Sequence, residues 1–273
     1  MSARHIVICA DDYGISPAVS AGIRDLIAKK RINATSAMTA SPHFNRDEAA
    51  ALRDAAATHA GIGLHVTLTA PFAPLSQNFE PTRDGAFLSL AVVLGRAHLR
   101  TLRPTRLRDE IACQFQAFAT AFGRPPDFVD GHHHVHIFPQ VRDAVLEVTN
   151  EMAPHAWVRQ CGQLSARRRL TDHKALLLDT LSQRFRRLAA DHGLRTNPAF
   201  AGTYSLRADA AYARMFENFL DGLPDGGVVM CHPGHVDAAL ARLDHVTDAR
   251  EREYDFFIGD AFPGVLADHG VKL

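Results

Sequence analysis

The sequence predicts an α/β fold, a single barrel of about seven parallel strands joined by helices. Two observations lead there. Short apolar runs rich in β-branched residues alternate with segments of helical period along the chain, the pattern of parallel strands with helical crossovers. Chemistry-bearing residues, Asp11 and Asp12, His65, His132, Arg159 and His232, also fall at or near the C-terminal ends of the predicted strands. In an open sheet, strands about 5 Å apart would spread these residues along an edge. A barrel gathers them at one mouth, where the active sites of such folds sit. The 273 residues, 47% of them hydrophobic, suffice for one large core. No repeat, low-complexity tract or linker divides residues 1–273, so one domain is expected.

His5–Ala10 is a continuous apolar run, as in a strand buried on both faces, and it ends abruptly in Asp11-Asp12-Tyr13-Gly14. Ser16-Pro17 has the form of an N-cap followed by proline at the first helical position, opening a helix to Lys30 with Val19, Ile23, Leu26 and Ile27 near helical period. A second strand is expected over Ala34–Thr39, a helix over Arg46–Thr58, and a third strand over Gly61–Thr69 with His65 inside it. Residues 70–104, broken by Pro71, Pro74, Pro81, Gly85, Gly95 and Pro104, read as a long lid-like insertion, because loops of that length in compact domains are usually functional. Leu107–Phe122 returns to helix, its Ile111, Phe115, Phe118 and Phe122 forming a core stripe. Pro126–Gly131 is a strand, Pro139–Met152 a helix, Ala156–Arg159 a short strand and Thr171–His192 a long helix. Strand ends follow at Gly193–Arg195 and Ala199–Gly202, then a helix over Ala208–Leu220. Gly227–Cys231 is a buried strand ending in His232-Pro233-Gly234, and Ala249–Phe262 is the last helix.

Lysine plus arginine equals aspartate plus glutamate at 30 each, so no basic footprint points to nucleic acid. The clusters Arg167–Arg169 and Arg184, Arg186, Arg187 read as solvated helix faces. No apolar run approaches the roughly 20 residues of a membrane span, and none resembles a signal-peptide core. The four cysteines, Cys9, Cys113, Cys161 and Cys231, form no C-x-x-C pair and read as small buried hydrophobes of a reducing cytoplasm.

The densest chemical signal is Asp130-Gly131-His132-His133-His134-Val135-His136, in a chain with 16 histidines. Metal ligation, proton transfer and plain loop polarity are the three readings, and metal leads because imidazole is the commonest metal ligand. In an extended chain His132, His134 and His136 would face one way and His133 the other. Adjacent carboxylates at Asp11 and Asp12 would also face different directions, one towards a metal and one towards a reaction centre; an N-cap pair for the next helix is the alternative. Alone, His65 reads as a satisfied core histidine. Taken with Asp12 and His132 it completes one carboxylate and two imidazoles, a three-ligand set that leaves coordination positions open.

Ala-Asp-Asp-Tyr-Gly-Ile-Ser at 10–16, Gly-Leu-His-Val-Thr-Leu-Thr at 63–69, Asp-Gly-His-His-His-Val-His at 130–136 and Cys-His-Pro-Gly at 231–234 resemble, in order and spacing, the YdjC-like carbohydrate deacetylases, a family that includes diacetylchitobiose deacetylases. Shorter matches at 82–87, 158–159, 193–195 and 200–202 extend the resemblance over nearly the whole chain. Tyr13 stands where the family usually has phenylalanine, and His133 where glutamine is common. The resemblance implies a deformed TIM-like (β/α) barrel, hydrolysis of the N-acetyl group of an acetylated amino sugar with release of acetate, and a homo-oligomer. It implies one divalent metal ion on Asp12, His65 and His132, Asp11 as general base and His232 as acid. Two nitrogens and an oxygen suit zinc, and an open site also tolerates magnesium, manganese or cobalt. Arg159 either orients Asp11 or makes a salt bridge at the mouth. Asp130 is placed to fix the tautomer of a ligand imidazole, and His134, His136 and Tyr13 are candidates for the second shell or the substrate pocket.

Rival readings are a metal-dependent hydrolase of another amide or ester, a mononuclear iron oxygenase with the same facial set, and a silent sugar- or metal-binding barrel. Asp11 and His232 together speak against the last, since binding alone needs neither. Cys231 beside His232 raises a thiol nucleophile, against which its apolar strand favours a structural cysteine.

Overall fold

The computed structural model describes residues 3–162, 173–205 and 211–273; Arg167–Arg169 and the expected helix starts at Thr171 and Ala208 lie outside them. A two-residue strand, β1 (Arg4–His5), pairs with β9 (Val271–Lys272) and ties the two ends of the chain together. Seven further strands form one parallel sheet: β2 (Val7–Tyr13), β3 (Ala34–Ala37), β4 (Gly61–Val66), β5 (Phe128–Gly131), β6 (Trp157–Val158), β7 (Phe200–Ala201) and β8 (Val228–Cys231). Their order is β6-β5-β4-β3-β2-β8-β7. The edge strands meet through one bridge, Val158 to Thr196, where Val158 N–H donates to the Arg195 carbonyl at 2.9 Å. Beyond it the Asn197 amide replaces a ladder, accepting from Gln160 N–H at 2.8 Å and donating to the Gln160 carbonyl at 3.1 Å. With that seam the strands follow one another around a ring in sequence order. The result is a deformed TIM-like barrel and a single α/β domain, with a side-chain amide in place of strand pairing at one point.

Helix α1 (Pro17–Ala28) starts as its sequence dictates, with the Ser16 hydroxyl accepting from Val19 N–H and Pro17 in the first turn; Val19, Ile23, Leu26 and Ile27 face the sheet. Helix α2 (Arg46–Ala56) is capped by Asn45. The 70–104 stretch is not all loop, because it contains α3 (Leu90–His98). Helix α4 (Pro104–Phe122) begins at its proline, three residues earlier than the hydrophobic stripe signalled. Buried polar side chains hold the stretch down. Glu110, on α4, accepts from Leu75 and Ser76 N–H at 3.1 and 2.7 Å, and Gln114 pairs with both backbone groups of Thr67 at 2.9 and 2.7 Å. Gln140 does the same for Leu102 at 3.0 Å in each direction. Irregular backbone is tolerated beneath the surface when its donors and acceptors find such partners.

Helices α5 (Val141–Met152), α6 (His173–Asp191) and α7 (Tyr212–Leu220) complete the middle of the chain, and the short α8 (Leu240–Leu243) follows β8. The helix expected over Ala249–Phe262 is shorter, α9 (Asp248–Ile258) ending before Gly259, and a further helix not expected from the sequence, α10 (Phe262–Asp268), follows it. Phe216, Phe256, Phe257 and Phe262 pack together, mostly edge to face, with ring centroids 5.1–5.7 Å apart, which fixes the bend between those helices.

Candidate active site

The last turn of β2 carries an irregularity. Its register with β3 shifts between Ala10 and Tyr13, and Asp12 takes the left-handed φ of +68°, which few residues other than glycine, Asn and Asp adopt readily. The bulge turns the Asp12 carboxylate towards the barrel axis. Oδ1 lies 2.8 Å from His132 Nδ1 and 3.2 Å from His65 Nε2, while Oδ2 accepts from Arg250 Nη2 at 2.6 Å. Burial would raise the Asp12 pKa; the His132 ring and the Arg250 guanidinium outweigh it and hold the carboxyl well below its usual range. One donor atom from each of Asp12, His65 and His132 falls within 4.8 Å of the others, and all three side chains are buried.

His65 is engaged at both ring nitrogens. Nδ1 meets Asp130 Oδ1 at 2.7 Å and Ser36 Oγ at 2.9 Å, leaving Nε2 for Asp12. Burial disfavours a charged ring here, but the flanking carboxylates of Asp130 and Asp12 prevail and push its pKa up to about 10. Such an arrangement asks for positive charge at Nε2, supplied by a proton or by a cation. A carboxylate behind an imidazole that faces a second carboxylate is the usual setting of a metal-ligating histidine. Two nitrogens and one oxygen on one point therefore fit a divalent ion with coordination positions left over.

A second group, Cys9, Asp11 and Asp130, also clusters within 4.8 Å, but it surrounds a guanidinium. Arg159 donates Nη1 to Asp11 Oδ2 and Nη2 to Asp11 Oδ1, each at 2.7 Å, and Nη2 also contacts Cys9 Sγ at 3.0 Å and the Asp130 carboxylate. Both partners of this Arg159–Asp11 pair are fully buried, and Asp11 also lines the cavity described below. A bidentate fork fixes the plane of the Asp11 carboxylate and leaves each oxygen a second lone-pair direction.

His232 follows β8 across the ring. Its backbone N–H donates to Glu253 at 2.5 Å, and its ring Nδ1 is buried with no partner among the described residues. Burial pushes the His232 pKa down, against the pull of Asp12 and Asp11, so the resting ring is neutral. Glu253 itself is pushed up to about 7 by burial and also takes the Tyr204 hydroxyl. These groups line one cavity of about 460 Å³ that holds Asp11, Asp12, His65, His132 and His232 together. Its lining also includes four leucines, Leu90 and Leu94 of α3 and Leu177 and Leu178 of α6, alongside aromatic and polar residues such as Phe138, Tyr204, Thr203 and His245.

The model of the YdjC-like protein family matches residues 5–268. The chain belongs to the YdjC-like family. Among curated relatives, the chitooligosaccharide deacetylase of Citrobacter koseri is 28% identical over 283 residues, covering 99% of this chain and 97% of the relative. That of Salmonella paratyphi B is 30% identical over 279 residues, covering 98% and 96%. A crystal structure from Enterococcus faecalis V583, of a protein provisionally named for cellobiose-phosphate cleavage, superposes with a TM-score of 0.77 at 21% identity, covering 100% of this chain and 97% of that one. That likeness speaks to the fold.

In this YdjC-like chain the histidine cluster is not extended. His132–Ile137 is a 3-10 turn in which His133 and His134 have left-handed φ of 55° and 57°. Alternation therefore fails. His133, expected to point away, lies against the His132 ring at 3.9 Å, meets Thr69 Oγ1 at 3.0 Å and lines the cavity. His134 lines it too. His136 turns into the core, its Nε2 donating to the Arg159 carbonyl at 2.8 Å, and burial pushes its pKa down to about 4. Tyr13 also faces away from the cavity, its hydroxyl between Glu48 and Arg24. Neither His136 nor Tyr13 is among the residues lining the cavity. Cys231 is buried and burial lifts its thiol well above the ordinary value, so it offers no thiolate. Two residues of α9 escape the sequence reading: Arg250, which bridges Asp12 and Asp244, and Glu253, beneath His232. They sit three apart on one helix face, a spacing that reads as solvated charge unless the helix is known to pack on the barrel mouth.

Proposed function

We propose that the protein is a metal-dependent carbohydrate N-deacetylase, hydrolysing the N-acetyl group of an acetylated amino sugar to release acetate. The observation that carries this is the meeting, in one cavity, of the Asp12–His65–His132 set with the Arg159-braced Asp11 and with His232. The near full-length likeness to two chitooligosaccharide deacetylases supports the amide and the sugar. A divalent ion held by Asp12, His65 and His132, magnesium or zinc by donor type, would polarise the acetyl oxygen and make water more acidic.

The chain's own residues supply the rest. Asp11 accepts a proton from the attacking water, with the two-bond Arg159 fork keeping its lone pair aimed. Asp130 holds the tautomer of His65, and Arg250 holds the outer oxygen of Asp12, so the ligand set is preorganised from behind. His232 is neutral at rest; near the Asp11 and Asp12 carboxylates it takes up a proton during turnover and passes it to the departing amine. The 70–104 stretch shapes one cavity wall through α3 in the manner of a lid. Buried free thiols at Cys9, Cys161 and Cys231 fit a reducing cytoplasm.

The test is an acetate-release screen over N-acetylated mono- and disaccharides with the metal varied. Acetate above background, abolished by a chelator and restored by one divalent ion, is expected. Phosphate release from esters without acetate release from any sugar would replace this reading with a different hydrolase.

A further inference from the structure

Four leucines line the same cavity, and the reaction proposed above makes no use of them. Leu90 and Leu94 stand four residues apart on α3, hence on one face of it, and Leu177 and Leu178 come from α6. A single part-exposed leucine is ordinary, but part-exposed leucines gathered at one cavity form an apolar surface of the kind that binds ligands. Leu90 at 36% and Leu177 at 38% exposed rank among the most exposed leucines of the described residues, and both line this cavity. Two helices far apart in sequence thus present aliphatic side chains to the space beside the Asp12–His65–His132 corner. Several polar groups lining the cavity are already paired, whereas Thr203 Oγ1 is buried with no hydrogen-bond partner among the described residues. The Tyr204 hydroxyl bonds Glu253, His133 meets Thr69, and Asp244 holds Arg250. The four leucines themselves offer neither hydrogen-bond partners for sugar hydroxyls nor an aromatic face for a ring, and they match an alkyl chain.

We propose that these leucines bind an aliphatic chain of the substrate, so that the preferred substrate is an N-acylated amino sugar bearing an alkyl group. The chain is either the aglycone or an N-acyl group longer than acetyl. This rests on the deacetylase reading. The chemistry is unchanged: the amide C–N bond breaks, water's oxygen joins the acyl carbon, and the amine leaves protonated. Each methylene buried from water is worth about 0.8 kcal/mol, or roughly a fourfold gain in kcat/KM.

The experiment uses the full-length, metal-loaded protein. One series is the methyl, butyl and hexyl glycosides of N-acetylglucosamine, and the other is N-acetyl-, N-butanoyl- and N-hexanoylglucosamine; carboxylate release is measured in both. Binding of the glycosides is followed in parallel by calorimetry, which needs no turnover. The expected result is a rise of at least tenfold in kcat/KM, or a matching tightening of binding, along one series, which also tells aglycone from acyl chain. In Leu90→Gln/Leu177→Gln the hexyl-to-methyl ratio should fall towards one, and in Leu90→Met/Leu177→Met it should persist. Flat profiles in both series and in calorimetry would overturn the proposal while leaving deacetylation standing, as would a slope that survives the glutamines. Chain-length-dependent binding without any carboxylate release would instead sink the deacetylase reading and keep the leucine surface.

Discussion

Replacing Arg159 by methionine tests how the centre of the barrel is held. The side chain is completely buried, and its guanidinium serves Asp11 through two bonds of 2.7 Å and also meets Asp130. Methionine fills similar space without charge. Asp130 would keep His65 as a partner at 2.7 Å, but Asp11 would be left buried with no cation beside it. Removing one partner of a buried ion pair costs about 3–5 kcal/mol, chiefly through the stranded charge. For a chain of this size that lowers Tm by roughly 6–20 °C. The pH dependence has a definite sign. Burial would raise the Asp130 pKa, but Arg159 and His65 hold it below the ordinary value. Its contribution to stability is therefore present above the unfolded carboxylate range and lost as pH falls through the lowered pKa. Without Arg159 that loss should begin at higher pH. Urea denaturation followed by circular dichroism, at pH 7 and again at pH 5, measures both effects, with Arg159→Lys as an intermediate because an ammonium cannot span both oxygens. A methionine variant within 1 kcal/mol of the parent at pH 7 would refute the view that the guanidinium compensates buried carboxylates.

Asp11→Asn should retain bound metal but lose deacetylation by at least about 100-fold, the usual weight of a general base; normal turnover would remove Asp11 from that role. His65→Ala and His132→Ala should each lower metal content, measured by atomic emission after dialysis, and full occupancy in both would dismiss the ligand set. In metal-free protein, stability should peak near pH 6.5. The His136 ring, held at about 4, contributes fully above 6.5 and its contribution is lost as pH falls, whereas the His65 ring, raised to about 10, contributes fully below 6.5 and loses it as pH rises. Saturating metal should flatten the alkaline limb, because His65 then gives Nε2 to the ion; chelator-independent thermal melts across pH would contradict this. Gly202→Ala should destabilise the protein strongly, since a Cβ there would lie 2.1 Å from the Met230 carbonyl oxygen at a φ of +105°; a melting temperature unchanged from the parent would refute that close approach.

Much of this molecule could be read along the chain, and the reasons are local. The apolar runs at Ile6–Ala10 and Val228–Cys231 have the pattern of strands covered on both faces, and with the Ile62–Val66 stretch they fall in strands of the sheet. Ser16-Pro17 marked a helix start that the hydroxyl of Ser16 indeed caps. Helix α3 escaped because prolines and glycines surround its nine residues and dominate the local pattern. The left-handed turn at His133 and His134 escaped because neither is glycine, so nothing in the sequence cancels the default of an extended strand end. The same default put His133 outside the site and His136 inside it.

Sequence by itself determined the parallel α/β barrel and which residue types could converge, since hydrophobic period and the placing of polar residues at strand ends are properties of neighbouring positions. Tertiary structure alone decided which of them meet. Asp12 reaches His65 and His132 only because a bulge reverses its φ, and its second oxygen is held by Arg250, which lies 238 residues further along the chain. Contacts across that separation depend on the barrel closing, and its seam is one bridge and the side chain of Asn197.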